Sequence, residues 1–382
     1  LIANLYNIPE YLTLERILFI NIILNSLVIV QNARLQKKID FKTIAVINFF
    51  SILVSGLIGI YAAYSGLGVW AIVVQSLSRG VLFTILYWGL GKWYPKLVFS
   101  ISSFKNLFSY SSKLLFASIV GNTVDNIGSI IVGKIYNPTI MGYYTRARQF
   151  PELTSGTVSS VLNNVTFPLM ASIRDNKNDL RHTFGKLISI TAMINIPAMV
   201  GLGILSKEII IVLLGEKWLA VYPLLFWIAF SYILRPINSL NMNLLNAIGR
   251  SDLFLKVYLS KIPVQIIVMI ITYPISIDAV VIGETASAII YFVMSVYLIG
   301  RLYNFGPIKQ LCSIWKYIIS SIVMSVFVII ISNLITSDLL TLVVGIFTGI
   351  IIYALMLILL KDNEFLLMLK KILISFCFYK MS

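Results

Sequence analysis

Apolar residues run through this chain in blocks of about twenty, separated by short clusters of Gly, Pro, Asn and charge. A block of that length carries a helix, rising 1.5 Å per residue, across the hydrocarbon core of a bilayer. The pattern predicts helices over 17–33, 43–64, 68–91, 106–132, 141–170, 187–206, 220–247, 253–273, 278–300, 314–332 and 339–360, eleven spans in all. The run IIIVLLGEKW (209–218) is too short to cross and reads as a re-entrant or interfacial segment. The charged stretch SIRDNKNDLRHTFGK (172–186) reads as a loop. Strands of a transmembrane barrel would alternate over about 10 residues instead. The expected fold class is therefore all-α, a polytopic integral membrane protein with about eleven transmembrane helices.

Inside three of these spans the polar positions repeat at helical spacing. In 141–170, Arg148, Glu152, Ser155 or Gly156, Ser159 and Asn163 share one face, because residues advance by about 100° each. Arg146 lies about 200° away on that wheel, beside Tyr143 and Tyr144, where an aromatic belt with a snorkelling arginine is expected. The span 106–132 repeats the pattern with Ser111, Ser118, Asn122, Asp125 or Asn126, and Ser129. In 220–247 the face holds Ser231, Arg235, Asn238 or Ser239, and Asn246. Pro236 follows Arg235 directly and frees a backbone carbonyl that another helix, water or ligand must satisfy. Glu284 is a further acid within a span. Small polar residues on such stripes also serve plain helix contacts, and Arg148 with Glu152 at i,i+4 also fits an internal ion pair. A full charge at mid-span, costing about 2.5–3.5 kcal/mol on insertion scales, points to a wet cavity for Arg148, Arg235 and Asp125.

Composition and charge then set the topology. Hydrophobic residues make up 59% of the 382 and charged residues only 12%, too few for a water-facing shell. The connections and helix ends at 34–42, 92–105, 174–186, 250–261, 301–316 and 361–380 hold 21 Lys and Arg. The alternate set, around 65–67, 133–140, 207–219, 274–277 and 333–338, holds three: Lys134, Lys207 and Lys217. The first set is assigned to the cytoplasm. The net charge of +15 is this bias plus attraction to anionic lipid, so no nucleic-acid partner is invoked. Cys312 and Cys377 give neither a disulfide framework nor a metal spacing, and His182 reads as solvated. No phosphate-cradling glycine loop, metal cluster or nucleophile with a base is present, so no cofactor, metal or catalytic residue is expected. The stretch 365–380 reads as an amphipathic or apolar helix on the inner surface. The chain opens on Leu1 without a signal-peptide n-region, so a true start upstream is expected.

Several segments, in order, resemble one family. These are FKTIAVINFFSILVSGLIGIYAAYSGLGVWAIVVQSL (41–77), a helix pair around a short glycine turn, and DNIGSIIVGKIYNPTIMGYYTRARQFPEL (125–153). FPLMASIRDN (167–176), LLGEKW (213–218) and INSLNMNLLNAIGRSD (237–252) follow. Together they are similar to the polysaccharide exporters of the multidrug/oligosaccharidyl-lipid/polysaccharide superfamily, in particular Wzx-type and teichuronic-acid-type flippases. The resemblance covers roughly residues 1–310 and implies two six-helix lobes, often followed by two further helices. It divides the chain into a partial N-terminal lobe of three helices (1–92), a cytoplasmic inter-lobe linker (93–105), a C-terminal lobe (106–301), and two additional helices with a cytoplasmic tail (302–382).

The resemblance also implies a function: flipping of an undecaprenyl-pyrophosphate-linked oligosaccharide across the cytoplasmic membrane by alternating access. On that reading Arg148 and Arg235 are phosphate-binding or gating cations, and Asn122, Asn163 and Asn238 hydrogen-bond the sugars. Asp125, Glu152 and Glu284 are charge partners or coupling-ion carboxylates. Expected partners are the lipid-linked oligosaccharide, membrane lipids, a glycan polymerase and other assembly proteins. Two other readings remain: a drug/cation antiporter of the same superfamily, whose cavity should be acidic, and a membrane-embedded glycan polymerase or ligase, which should carry a large external loop.

Overall fold

A computed structural model describes residues 10–38, 40–91, 100–173 and 176–379; some side chains of the helices over 101–135, 138–172 and 363–379 lie outside the described residues. The described residues form fifteen α-helices and one short 3-10 helix. Among the described residues, nine helical stretches are long and apolar enough to cross a membrane, from Leu12–Lys37 to Asp338–Leu359. The other two spans expected from the pattern lie in α5 (Ile101–Ile135) and α6 (Pro138–Ser172), each 35 residues long. The chain divides into two compact units, Leu1–Val120 and Gly121–Ser382.

In the first unit α1 (Glu10–Leu18) and α2 (Ile20–Lys37) lead to a hairpin of α3 (Phe41–Tyr64) and α4 (Trp70–Gly91). Asp40 starts α3 by accepting from the Thr43 backbone N–H at 3.1 Å and its hydroxyl at 2.8 Å. Those two bonds, the hydroxyl first, hold the Asp40 carboxyl below the usual carboxylate range. The α3–α4 turn uses Gly66 and Gly68 at φ +82° and +52°, a left-handed backbone that glycine alone adopts freely. Ser51, Ser55, Gly59 and Ala62 form the buried face of α3. A Cβ on Gly59 would stand 2.9 Å from Gln75 Cβ, so this seam depends on the missing side chain. Polar atoms join α2 to α4: Asn21 Nδ2 donates to Ser76 Oγ at 3.0 Å and Trp88 Nε1 to the Leu27 carbonyl at 3.1 Å.

The second unit is built around α7 (Lys177–Ile204). The stretch 172–186, expected as a loop, is largely its first turns. Asn176 caps it by accepting from the N–H groups of Asn178 and Asp179, and its charged residues lie in the first turns of a 28-residue helix, longer than the about 20 residues that cross a bilayer. His182 is exposed there. After α7 come α8 (Ser206–Leu214) and the 3-10 turn Glu216–Val221, a pair too short to span, joined at Gly215 with φ +88°. Next are α11 (Ser251–Thr272), α12 (Ile277–Tyr303), α13 (Pro307–Leu334), α14 (Asp338–Leu359) and α15 (Asn363–Tyr379), with two helices between the 3-10 turn and α11.

Those two replace the single helix expected over 220–247: α9 (Tyr222–Tyr232) and α10 (Arg235–Ala247), broken at Ile233 and Leu234. Pro236 has no N–H for the Tyr232 carbonyl four residues back. Asn195 of α7 supplies the donor, bonding the carbonyls of Tyr232 at 3.1 Å and Ile233 at 2.8 Å. The same problem arises within α7, where Pro197 frees the Met193 carbonyl, and the Tyr353 hydroxyl of α14 donates to it at 2.8 Å. At the far end of α14, Asp362 caps α15 through the Phe365 N–H at 3.0 Å and takes the Tyr317 hydroxyl of α13 at 3.3 Å.

Replacing Tyr353 by Phe leaves the Met193 carbonyl without its donor. The expected cost is about 1 kcal/mol of stability, read as a lowered thermal midpoint in detergent. Pro197→Ala in the same chain restores the backbone donor and should recover most of the loss.

Candidate functional site

The α6 stripe contributes a cluster of charge to the second unit. Asn137 caps the helix by accepting from the Ile140 N–H at 2.8 Å. Arg148 then falls about 15 Å along its axis, at 1.5 Å per residue, and is only 8% exposed. One guanidinium nitrogen donates to Ser129 Oγ of α5 at 2.7 Å, and the other to Glu152 Oε1 at 2.9 Å. Two tyrosine hydroxyls stand 3.5 Å from it, Tyr144 of α6 and Tyr232 of α9. The Tyr232 hydroxyl donates to Glu152 at 2.8 Å, and the Tyr144 hydroxyl donates to Glu284 of α12. A Cβ on Gly128 would stand 2.6 Å from Glu284 Oε1, so a larger residue there would displace that carboxylate from the cluster. One arginine, two carboxylates and two phenols are thus bonded into one network across four helices.

That network forms one side of a cavity of about 540 Å³. Asn126 of α5, Arg148, Glu152 and Ser159 of α6, and Ser231 and Tyr232 of α9 line it, with Glu284, Ser287 and Tyr291 from α12. Arg235, Asn238, Ser239, Asn243 and Asn246 of α10 form a second side, and Phe254, Tyr258, Lys261 and Gln265 of α11 a third. The Arg235 guanidinium carbon stands over the Tyr232 ring, 4.1 Å from its centre, and among the described residues no carboxylate pairs with Arg235. Lys261 stands 5.8 Å from the centre of the Tyr291 ring. Asn238 is nearly buried, accepting from Ser295 of α12 at 3.0 Å.

Five of the eight residues assigned a role in the sequence therefore meet at one cavity: Arg148, Arg235, Glu152, Glu284 and Asn238. Asn122 does not line it: it is exposed, its carbonyl accepts from Asn126, and Asn126 takes the lining position one turn on. The side chains of Asp125 and Asn163 lie outside the described residues. The outer aromatic group also divides. Tyr143 packs against Trp218, whose ring lies 5.8 Å from the Arg146 guanidinium, as a belt would. Tyr144 instead is fully buried and belongs to the arginine network, four residues before Arg148 on the same face. Lys261, grouped by charge with a cytoplasmic loop, faces the cavity as part of a stripe with Tyr258 and Gln265 that helical spacing would have revealed.

The ion pair is asymmetric. Arg148 is buried while 45% of the Glu152 side chain is open to the cavity. Arg148→Leu leaves two carboxylates without their cation and is expected to cost about 3 kcal/mol. Glu152→Gln, at a wetter position, should cost about 1 kcal/mol or less. Chemical unfolding of both single variants and the double in detergent checks this, with the double expected to lose less than the sum of the two.

A family profile described as "Polysaccharide biosynthesis protein" matches residues 1–223, more than half of the chain. Over 257 residues the chain is 30% identical to "Teichuronic acid biosynthesis protein TuaB" of Bacillus subtilis, covering 66% of this chain and 53% of that protein. It is 27% identical over 228 residues to "Lipopolysaccharide biosynthesis protein WzxC" of Escherichia coli, covering 59% and 46%. The chain thus spans about half the length of the curated relatives it matches. Among solved structures, "Lipid II flippase MurJ, inward closed conformation" superposes with a TM-score of 0.65 at 18% identity, over 82% of this chain and 67% of that one, which is a likeness of fold. The nine apolar helices, the ordered sequence segments and the profile match converge: this multi-pass membrane protein belongs to the polysaccharide biosynthesis protein family.

Proposed function

We propose that this chain moves a polyprenyl-pyrophosphate-linked oligosaccharide between the leaflets of the cytoplasmic membrane by alternating access, for the assembly of a surface polysaccharide. The observation that carries the proposal is the placing of Arg235 and Lys261 on the wall of a polar cavity inside an apolar helix bundle. A pyrophosphate crossing such a bundle needs its charge balanced along the way. Arg235 is suited to bind it, since its guanidinium lies on an aromatic face and presents forked donors to phosphate oxygens. Arg148 is the gating cation, held by Glu152 at rest and exchanging that carboxylate for phosphate. Glu284, bonded to Tyr144, is the carboxylate through which an ion couples to this exchange. Asn238, Ser239, Asn243 and Asn246 offer hydrogen bonds to sugar hydroxyls, and the rings of Tyr258 and Tyr291 offer faces for sugar rings.

In this reading residues 1–92 contribute helices of one lobe, 93–105 the link, 106–301 the other lobe, and 302–382 two additional helices and a cytoplasmic tail. The substrate and the surrounding lipids are the direct partners, with a glycan polymerase and other assembly proteins acting on the product. The role is transport without covalent chemistry. A site for organic cations would present unpaired carboxylates; here Glu152, though open to the cavity, is bonded to an arginine and a phenol, Glu284 is bonded to a second phenol, and two further cations face the cavity.

Reconstitution of the full chain with a fluorescent lipid-linked oligosaccharide tests this. A cation facing a phosphate at about 4 Å is worth up to about 4 kcal/mol at an effective dielectric of 20. Arg235→Ala and Lys261→Ala should therefore slow flipping roughly 10- to 100-fold while expression stays normal. Flipping at the original rate in a normally expressed Arg235→Ala protein would remove the assignment.

A further inference from the structure

The break between α9 and α10 lies between the two residues that the proposed transport uses from this segment. Tyr232 ends α9, bonds Glu152 and carries the Arg235 guanidinium on its ring, while Arg235 begins α10. Pro236 makes the break necessary by removing one donor, but a missing donor alone leaves the carbonyls of Tyr232 and Ile233 facing an apolar interior. The group that meets them comes from another helix. Asn195 is completely buried, and its amide nitrogen reaches both carbonyls, at 3.1 and 2.8 Å. With two carbonyl oxygens opposite, only the NH2 end of the amide can face the break.

The other end of the same amide is informative. Asn195 Oδ1 is buried with no hydrogen-bond partner among the described residues. An orphaned buried acceptor costs free energy, and a leucine of similar volume would not incur it. The position therefore trades stability for two donors directed at one bend. Asn195 also lies on α7 between Met193 and Pro197, where the neighbouring proline-freed carbonyl is held by Tyr353 of α14.

We propose that Asn195 is a positioning residue of the cavity: by holding the carbonyls of Tyr232 and Ile233, it fixes the geometry of the break that Pro236 makes and so sets where Tyr232 and Arg235 stand. It touches no substrate in this assignment, and its effect on transport rests on the reading of the cavity given above.

Two variants and two readouts separate this from a purely structural role. Asn195→Leu removes both donors; it should lower the thermal midpoint and slow flipping at least 10-fold. Adding Pro236→Ala returns a backbone N–H to the Tyr232 carbonyl and lets the helix close across 233–234. The double variant N195L/P236A should regain the thermal midpoint yet remain at least 10-fold slow, because the closed helix no longer presents Tyr232 and Arg235 as before. Recovery of flipping together with the midpoint would show that Asn195 only supplies stability and would overturn the proposal, as would normal flipping in Asn195→Leu alone. Amide hydrogen exchange over 230–240 needs no substrate. It should be at least 10-fold faster than wild type in Asn195→Leu and slower than wild type in the double variant. Unchanged exchange in both refutes the assignment. If the wild-type chain moves no lipid-linked oligosaccharide, the transport reading fails, and exchange alone still decides what Asn195 does.

Discussion

A bilayer interior provides no water to a backbone carbonyl, and this requirement governs how the second unit is assembled. Pro197 inside α7 and Pro236 at the start of α10 each remove a donor from the i−4 carbonyl, and each of these two carbonyls is met by a side chain from a neighbouring helix. Tyr353 reaches from α14 to α7, and Asn195 reaches from α7 to the α9–α10 break. The helices are thus tied in series by groups that have nowhere else to bond. Apolar packing supplies contact area in such a bundle, but lipid tails are as apolar as leucine. Directional bonds of this kind are what fix one helix's register against the next.

The same accounting applies to charge. Arg148 is buried among five oxygens, from Ser129, Tyr144, Glu152, Tyr232 and, through Tyr144, Glu284. Each member relieves the desolvation of another, which is how two acids and a base persist in a span. Arg235 is treated differently. Its guanidinium stands over the Tyr232 ring, it lines the cavity, and among the described residues no carboxylate pairs with it. Tyr232 serves both arginines, with its hydroxyl in the buried network and its face beneath the second cation.

Much of the arrangement is legible in linear order. Stripes at helical spacing placed Arg148 and Glu152 on one face and Arg235 and Asn238 on another, and all four line the cavity. The glycine turn at 65–68 and the short segment before Trp218 likewise lie where punctuation put them. Other features needed the partner helix to be seen. Tyr144 reads as a belt residue by composition and becomes part of the network because Glu284, 140 positions away, accepts its hydroxyl. Lys261 reads as loop charge until α11 is rotated against α12. The charged run at 172–186 reads as a loop because its charges hide a helix start that Asn176 caps.

Sequence alone determined the class of protein, its helical spans and the faces on which polarity is concentrated. Those follow from properties of single segments: length against bilayer thickness, charge against insertion cost, and spacing against 3.6 residues per turn. Only the tertiary structure decided which faces meet, where the helix over 220–247 breaks, and which arginine is bound to a carboxylate. Those outcomes depend on pairs of residues far apart in the chain, such as Asn195 with Tyr232 and Tyr144 with Glu284. A donor and an acceptor on separate helices carry no mark of each other in linear order; they are matched only when packing excludes every other partner.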